Sequence, residues 1–356
     1  MILMQNDLYD SAEKLFGQVC TPAIIRKIEQ RANAESLWLE LSAVGYGDAL
    51  LPEDADGAGL SLTDVWPLFF SMGRHAVPLP YAQTLLARAW LQQVGATGSE
   101  GAAPDTANQL PPGSITFAPF QTIKSLKGLQ AHGVSFGMTA DWVLAQCDSE
   151  VWLLPVAQAS RTCSGGYGSL DADLFWPSEI VQASLLGRWK APQFRDLMAL
   201  SLAALIAGAS DRVFEMTLAW ANQREQFGKP IGRFQALQQQ ISEVAEQVFG
   251  ARMAAEMSCR SANWQPVSAL AALAKTQTSQ AVGRIVSVAH AVHGAIGVTQ
   301  EFDLQLYTRR LNEWAKAGGG SGYWSAYLGQ QMLAGQLSVL DFVRIHLFEE
   351  PVSQSI

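Results

Sequence analysis

The chain has 356 residues and carries 24 Lys plus Arg against 32 Asp plus Glu, a formal net charge of −8. That balance excludes a protein that coats DNA or RNA, because phosphate affinity needs a basic surface. With 49% hydrophobic and 16% charged residues, among them 15 Phe and 11 Trp, there is ample apolar material to bury, which excludes global disorder.

The length predicts two or three domains. The longest mid-chain run free of charge and strong polarity, Leu197 to Ala209, has 13 residues, short of the roughly 20 that a bilayer-spanning helix needs. No transmembrane segment is expected. The opening Met1-Ile2-Leu3-Met4 runs straight into Gln5-Asn6-Asp7 without a basic region or a long apolar stretch, so no secretory signal is expected and the cytoplasm is the default. Cys20, Cys147, Cys163 and Cys259 lie far apart with no CxxC, a pattern of reduced thiols and not of a disulfide frame or zinc site.

In chain order, Ser11 to about Leu91 reads as helical with short breaks. Segments such as Ser36 to Val44 and Leu62 to Met72 place large apolar residues at near-helical spacing. Between them Leu51-Pro52-Glu53-Asp54-Ala55-Asp56-Gly57-Ala58-Gly59 is turn chemistry, and Thr63 or Asp64 is a candidate helix cap. Residues 95–113, rich in Gly, Ala, Ser, Pro and Asn, read as a linker closing an N-terminal helical domain over 1–112. The period then changes. Ser114 to Ala118, Trp142 to Gln146, Glu150 to Pro155 and Glu179 to Ala183 are short runs rich in Val, Ile, Trp and Phe between turn clusters, and predict strands of a small β domain over 113–190. From 191 to 356 long helices return, over Leu197–Ala221, Phe234 to about Cys259, Ser268–Val292 and Ser321–His346, as a four-helix bundle requires. The fold class expected is α+β, mainly α, in three domains.

The segment with most chemical content is Arg224-Glu225-Gln226-Phe227-Gly228-Lys229-Pro230-Ile231-Gly232-Arg233-Phe234-Gln235. A helix running to about Phe227, stopped by Gly228 and Pro230 and followed by another from Phe234, makes a sharp corner that presents an Arg, a Phe and a Gln. A guanidinium there suits a phosphate or pyrophosphate. The plainer alternative pairs Arg224 with Glu225 or Glu243 on the surface and leaves Phe227 in the core.

This corner, the earlier Leu51-Pro52-Glu53-Asp54 with Gly57 and Gly59-Leu60, and the later His293-Gly294-Ala295-Ile296-Gly297-Val298-Thr299 together resemble the acyl-CoA dehydrogenase family in order and spacing. The likeness covers nearly the whole chain except its middle. It implies a helical N-terminal domain, a β-barrel-like middle domain and a C-terminal four-helix bundle assembling as a dimer of dimers. It also implies α,β-desaturation of an acyl-CoA thioester with FAD as hydride acceptor and an electron-carrier flavoprotein as reoxidant. Arg224, Phe227 and Gln235 then match residues that meet the FAD of a neighbouring subunit. Gly294 and Ala295 match a segment touching the pyrophosphate, where their backbone N–H groups could bind an anion.

Departures from the family pattern narrow the reading. Ala291 stands where the family's pyrophosphate segment has Gln, and counting on without a gap puts Gly318 at the position of the catalytic Glu. Glycine cannot act as a general base. Relatives that carry the base on the first bundle helix match Met198 and Leu205, which cannot act either. The remaining weak candidates are Glu215 and Glu313. The middle region shows neither the family's Gly-rich segment nor its flavin-packing Trp clearly, and at about 75 residues (113–190) it is short.

His290 and His293 share a helical face at a spacing some zinc sites use, but with no third ligand nearby they read as core or interface residues. Ser164-Gly165-Gly166-Tyr167-Gly168 reads as a loop, and Gly318 to Gly322 as a helix-breaking joint. Three functions are consistent with these residues. The first is one subunit of a heteromeric dehydrogenase, of the kind the family uses on steroid side chains, whose homologous partner supplies the base and most of the FAD site. The second is a complete homo-oligomeric flavoenzyme with a relocated base. The third is a flavin-free structural subunit.

Overall fold

The computed structural model describes residues 7–97, 110–120, 122–189, 194–335 and 337–345. The chain opens with five helices: α1 (Asp7–Val19), α2 (Pro22–Glu29), α3 (Glu35–Ser42), α4 (Leu62–Arg74) and α5 (Tyr81–Thr97). Local chemistry sets their ends. Thr21 caps α2 ahead of a proline in its first turn, a position where the missing N–H costs nothing. The cap of α4 is Ser61 and not Thr63 or Asp64. Its hydroxyl accepts from Asp64 N–H while the Asp64 carboxylate accepts from Ser61 N–H, a reciprocal box that satisfies two orphan donors. Helix α5 runs through residues 95–97, so the expected linker begins later than its composition suggests. Most of it, residues 98–109, lies outside the described residues.

The middle of the chain forms two four-stranded sheets and, among the described residues, no closed barrel. The strands are β1 (Ile115–Ala118), β2 (Thr122–Ser125), β3 (Gly128–Val134), β4 (Trp142–Cys147), β5 (Glu150–Pro155), β6 (Ser160–Cys163), β7 (Ala172–Pro177) and β8 (Leu185–Arg188). One sheet has the order β1-β4-β5-β8, with β1 and β4 parallel, and the other β2-β3-β7-β6, antiparallel throughout. Trp152, Trp176, Leu129, Leu154 and Leu174 form a small separate core here. The stretch expected as a strand at Glu179–Ala183 is instead helix α6 (Ser178–Ala183). Only Val181 of it is buried, so a one-sided contact suffices, and Pro177 ahead of it fits a helix start.

The C-terminal part holds α7 (Phe194–Gln223), α8 (Gln235–Ser258), α9 (Ser268–His293), α10 (Leu304–Lys316), α11 (Ser321–Ala334) and α12 (Val339–Val343). Helix α7 is apolar on nearly every side because α4, α8, α9 and α10 all pack on it. By length and composition it could cross a bilayer, as could Ser268–Val298, yet 83% of the apolar window of α7 is buried inside the protein. Its approach to α4 is close. A Cβ on Gly73 would lie 2.3 Å from Leu205 O, and one on Gly208 would lie 2.0 Å from Phe70 O. The bundle differs from expectation in two ways. Helix α10 is an additional member, missed because its amphipathic run sits between glycine-rich segments. Helix α11, expected to run from Ser321 to His346, stops at Ala334 and is followed by the short α12, and His346 lies outside the described residues. Trp90, Phe117 and Phe194 meet edge to face or stacked at 4.7 and 5.5 Å, joining α5, β1 and the start of α7 beside the cleft described next.

Candidate functional site

Two separate regions carry the residues singled out by sequence. They lie at opposite ends of α7, and about 38 Å of helix separates Met198 from Gln223 at 1.5 Å per residue.

At the first end a cleft of about 990 Å³ opens between the second sheet and the bundle. Gly318 lies on its floor, in the break between α10 and α11. The break is a fixed structure. Lys275, fully buried on α9, donates from Nζ to Trp314 O (2.8 Å), Ala315 O (3.1 Å) and Ser279 Oγ (3.0 Å), closing the C-terminal carbonyls of α10 as a cation does well. Burial pushes its ammonium down to about 7. Trp324 Nε1 donates to Gly318 O at 2.9 Å. Gly318 and Gly319 have φ of +64° and +87°, a region that only glycine enters freely. A Cβ at 318 would stand 3.1 Å from Met198 Cγ and 3.2 Å from Leu202 Cδ1. Gly318 and Met198, two of the three positions matched to the family's base, thus face one another, and neither is titratable. Leu205 lies instead against Gly73 of α4.

The two weak carboxylate candidates separate. Glu215 accepts from Arg74 at 2.9 Å and from Arg212 at 3.3 Å, in a network with Asp211 and Glu13 on the α1–α4 side of α7. It does not line the cleft. In the same network burial opposes ionisation of Glu13, but hydrogen bonds from His75 and Ser71 and the Arg74 charge bring its carboxyl down to about 2. Glu313 does line the cleft, with Asn312 and Lys316 on the same helix, and is paired with buried Arg310 at 3.1 Å. Facing it are His132 on β3, Asp173 on β7 and Asp171 just ahead of β7, His132 Nδ1 standing 3.4 Å from Asp173. Asp171 was missed by sequence reasoning. The available signal was the period-two pair Asp171 and Asp173, which a strand turns to one face. The loop at 164–168 holds the mouth: Arg309 Nη1 donates to Tyr167 O (2.7 Å) and Arg31 Nη1 to Ser169 O (2.9 Å).

At the second end α7 stops at Gln223, earlier than Phe227. The two-residue strands β9 (Glu225–Gln226) and β10 (Lys229–Pro230) form a hairpin, with Phe227 and Gly228 at its tip at φ +52° and +80°. Both positive angles fit a tight type I′ turn, unusual for a phenylalanine. Arg224 N–H donates to Trp220 O and Ile231 N–H to Arg224 O, both at 2.8 Å, tying the hairpin to α7. Phe227 is 91% exposed and touches Phe234 edge to face at 6.1 Å. Arg224 and Gln235 are also exposed. Glu243 pairs with Arg284 instead of Arg224, and Arg224 makes no ion pair among the described residues.

The same end gathers Gly294 and Ala295. Trp220, one turn before Arg224, stacks on His293 at 5.4 Å with 23° between ring planes, and Phe302 covers both. His293 and His290 are therefore packing residues at the end of α9, and burial lowers both imidazoles. No group of three or more His, Cys, Asp or Glu arranged for a metal occurs among the described residues. Gly294 and Ala295 are exposed. Gly294 N–H already donates to His290 O, so of the two expected anion donors only that of Ala295, opening the short turn Gly294–Val298, is left for a ligand.

The helices that carry both regions belong to a recognised architecture. Residues 194–323 match the acyl-CoA dehydrogenase C-terminal domain. The acyl-CoA dehydrogenase IpdE2 of Mycolicibacterium smegmatis is 32% identical over 282 residues, covering 78% of this chain and 81% of that protein. IpdE2 of Mycobacterium tuberculosis is 26% identical, covering 86% and 90%. Among solved structures, the ChsE4-ChsE5 complex from Mycobacterium tuberculosis superposes with a TM-score of 0.76 at 21% identity, covering 93% of this chain and 97% of that one. The chain belongs to the acyl-CoA dehydrogenase family, whose members are FAD-dependent oxidoreductases.

Proposed function

We propose that this chain is one subunit of a heteromeric FAD-dependent acyl-CoA dehydrogenase, and that it completes a flavin site held mainly by a homologous partner. The observation that carries this reading is the division along α7. Arg224, Phe227, Gln235, Gly294 and Ala295 are all exposed at one end, while the position of the family's base, Gly318, lies in a cleft that none of them lines. A rigid helix of this length prevents the corner from serving the same chain's cleft.

The two ends differ in what their residues offer the cofactor. At the corner an exposed guanidinium, an exposed aromatic ring and a free backbone donor suit a dinucleotide presented from outside. In the cleft, Asp173 and Glu313 outnumber Lys316, so a pyrophosphate would meet like charge. When bound, FAD supplies the hydride acceptor for α,β-desaturation. This chain's part is to position the flavin, and removal of the α proton from the acyl-CoA falls to a carboxylate of the partner. The division into 1–112, 113–190 and 191–356, a dimer-of-dimers assembly, an electron-carrier flavoprotein as reoxidant and a cytoplasmic location belong to the same reading. One similar structure is described as a steroid acyl-CoA dehydrogenase, Tcur3481-Tcur3483, at 23% identity and a TM-score of 0.76. A steroid-derived acyl group is accordingly the substrate class to test first.

The test is coexpression with the neighbouring dehydrogenase gene, followed by a flavin count. One flavin per pair of chains, with this chain colourless when purified alone, is the expected result. One flavin in every chain would reject the half-site reading in favour of a complete flavoenzyme, in which Glu313 would be the carboxylate to examine.

A further inference from the structure

The cleft of this chain is retained although its base is absent. Behind its α10 wall lies a charged network. Glu29 of α2 receives Arg309 at 2.7 Å and Arg310 at 2.9 Å, and Arg310 also binds Glu313 at 3.1 Å. Two carboxylates and two guanidinium groups balance one another. Asp171 is a fifth group, adjacent to this network but in no ion pair among the described residues.

Its surroundings determine its charge. Phe136 N–H donates to Oδ1 at 3.2 Å. Glu313 approaches from α10, and Asp173, His132 and Lys316 face the same cleft. Arg310 is the nearest cation, already engaged by Glu29 and Glu313. A carboxyl held by one backbone donor, beside another carboxylate and without a cation of its own, favours its neutral form. Desolvation and the Glu313 charge raise it to about 7, against smaller opposing effects of Arg310 and the Phe136 N–H. The opposite side of the cleft is apolar and aromatic, with Phe117, Phe120, Met198 and Tyr323.

We propose that the cleft of this chain is a binding site for an uncharged carbonyl compound with an apolar body, and that the Asp171 carboxyl donates the hydrogen bond that receives the carbonyl oxygen. The inference rests on the reading that this cleft does not hold the flavin. The pairing of a neutral carboxylic acid with an apolar pocket is a known way to provide a donor at neutral pH. The acidic residues around it exclude phosphates and carboxylates from the same place.

The experiment uses the full chain and the fluorescent ketone 6-propionyl-2-dimethylaminonaphthalene, an uncharged probe whose emission moves to the red when its carbonyl accepts a hydrogen bond. Titrations at pH 6 and pH 8.5 should show red-shifted binding that weakens by about thirtyfold at the higher pH, the fall in the protonated fraction of a group titrating near 7. Asp171→Asn keeps a donor and the acceptor for Phe136 N–H, and should bind the probe equally at both values. Glu313→Gln removes the neighbouring negative charge and should move the midpoint of the pH dependence downward. Absence of binding at pH 6, or an unchanged pH dependence in Asp171→Asn, would overturn the proposal. Neither result bears on the flavin count of the complex, so the two readings fail separately.

Discussion

The two ends of α7 differ in how they treat chemically useful residues. At the corner end Arg224 and Phe227 stand in solvent on a strained hairpin, with an aromatic ring 91% exposed and at positive φ. At the cleft end Trp324 Nε1 holds Gly318 O, and Lys275 holds the Trp314 and Ala315 carbonyls just ahead of the glycine break. Folding by itself favours neither a solvent-exposed Phe nor a positive φ on it, so the corner is best explained by something outside the chain that covers it. The glycine joint is tied instead to its own chain, by the Trp324 bond to Gly318 O. The proposed half-site subunit fits this contrast: the residues that would face another subunit are kept, and no carboxylate stands at 318.

The largest effect expected from breaking this contrast is at the corner. Arg224→Ala in the assembled complex should weaken FAD retention by roughly tenfold to a hundredfold, the worth of one charged hydrogen bond, and Phe227→Ala should weaken it through the lost ring contact. The melting temperature of the isolated chain should stay unchanged, since both side chains are exposed. Equal loss of stability in the isolated chain would mean that the hairpin is structural.

Next comes restoration of the missing carboxylate. Gly318→Glu should lower stability by about 1–3 kcal/mol, because a side chain at φ +64° is strained and its Cβ meets Met198 and Leu202. No desaturase activity should appear in the chain alone. Activity with an acyl-CoA and FAD would show that the cleft differs from a working site only by one residue.

Asp171 sharpens the comparison through pH. Its folded-state value is raised from 3.8 to about 7, so its contribution to stability is fully present below pH 3.8 and lost as pH rises to 7. Asp171→Asn should remove that loss. Thermal melts should show the variant gaining roughly 2–4 °C over the wild type between pH 5 and pH 8, and a constant difference would contradict the assignment. The smallest effect is a control remote from both ends. Ser61→Ala should cost about 1 kcal/mol by removing the α4 capping box, leaving flavin content and probe binding as they were.

Much of this architecture was legible in the sequence. The helices from Leu62, Ser268 and the start of α7 follow from apolar spacing, and β5 over Glu150–Pro155 from its run of large apolar residues. The errors have separate causes. At Glu179–Ala183 a short run of Ile and Val suggested a strand where a six-residue helix buries one side chain, and at such lengths periodicity cannot separate the two. Helix α10 was hidden because four of its thirteen residues are charged, Arg309, Arg310, Glu313 and Lys316, two of them held inward by Glu29 from a distant helix.

The sequence by itself determined the family, the corner motif and the absence of a carboxylate at 318, because each is a matter of residue identity at a fixed spacing. Only the tertiary structure decided which of those residues could act together. It set Gly318 against Met198, separated both from Arg224 by the length of α7, and paired Glu215 with Arg74 outside the cleft. It also made Asp171, which the sequence reading did not single out, a desolvated carboxyl facing Glu313. Charge, burial and reach depend on neighbours brought from elsewhere in the chain, and those distances exist only once the helices and sheets have packed.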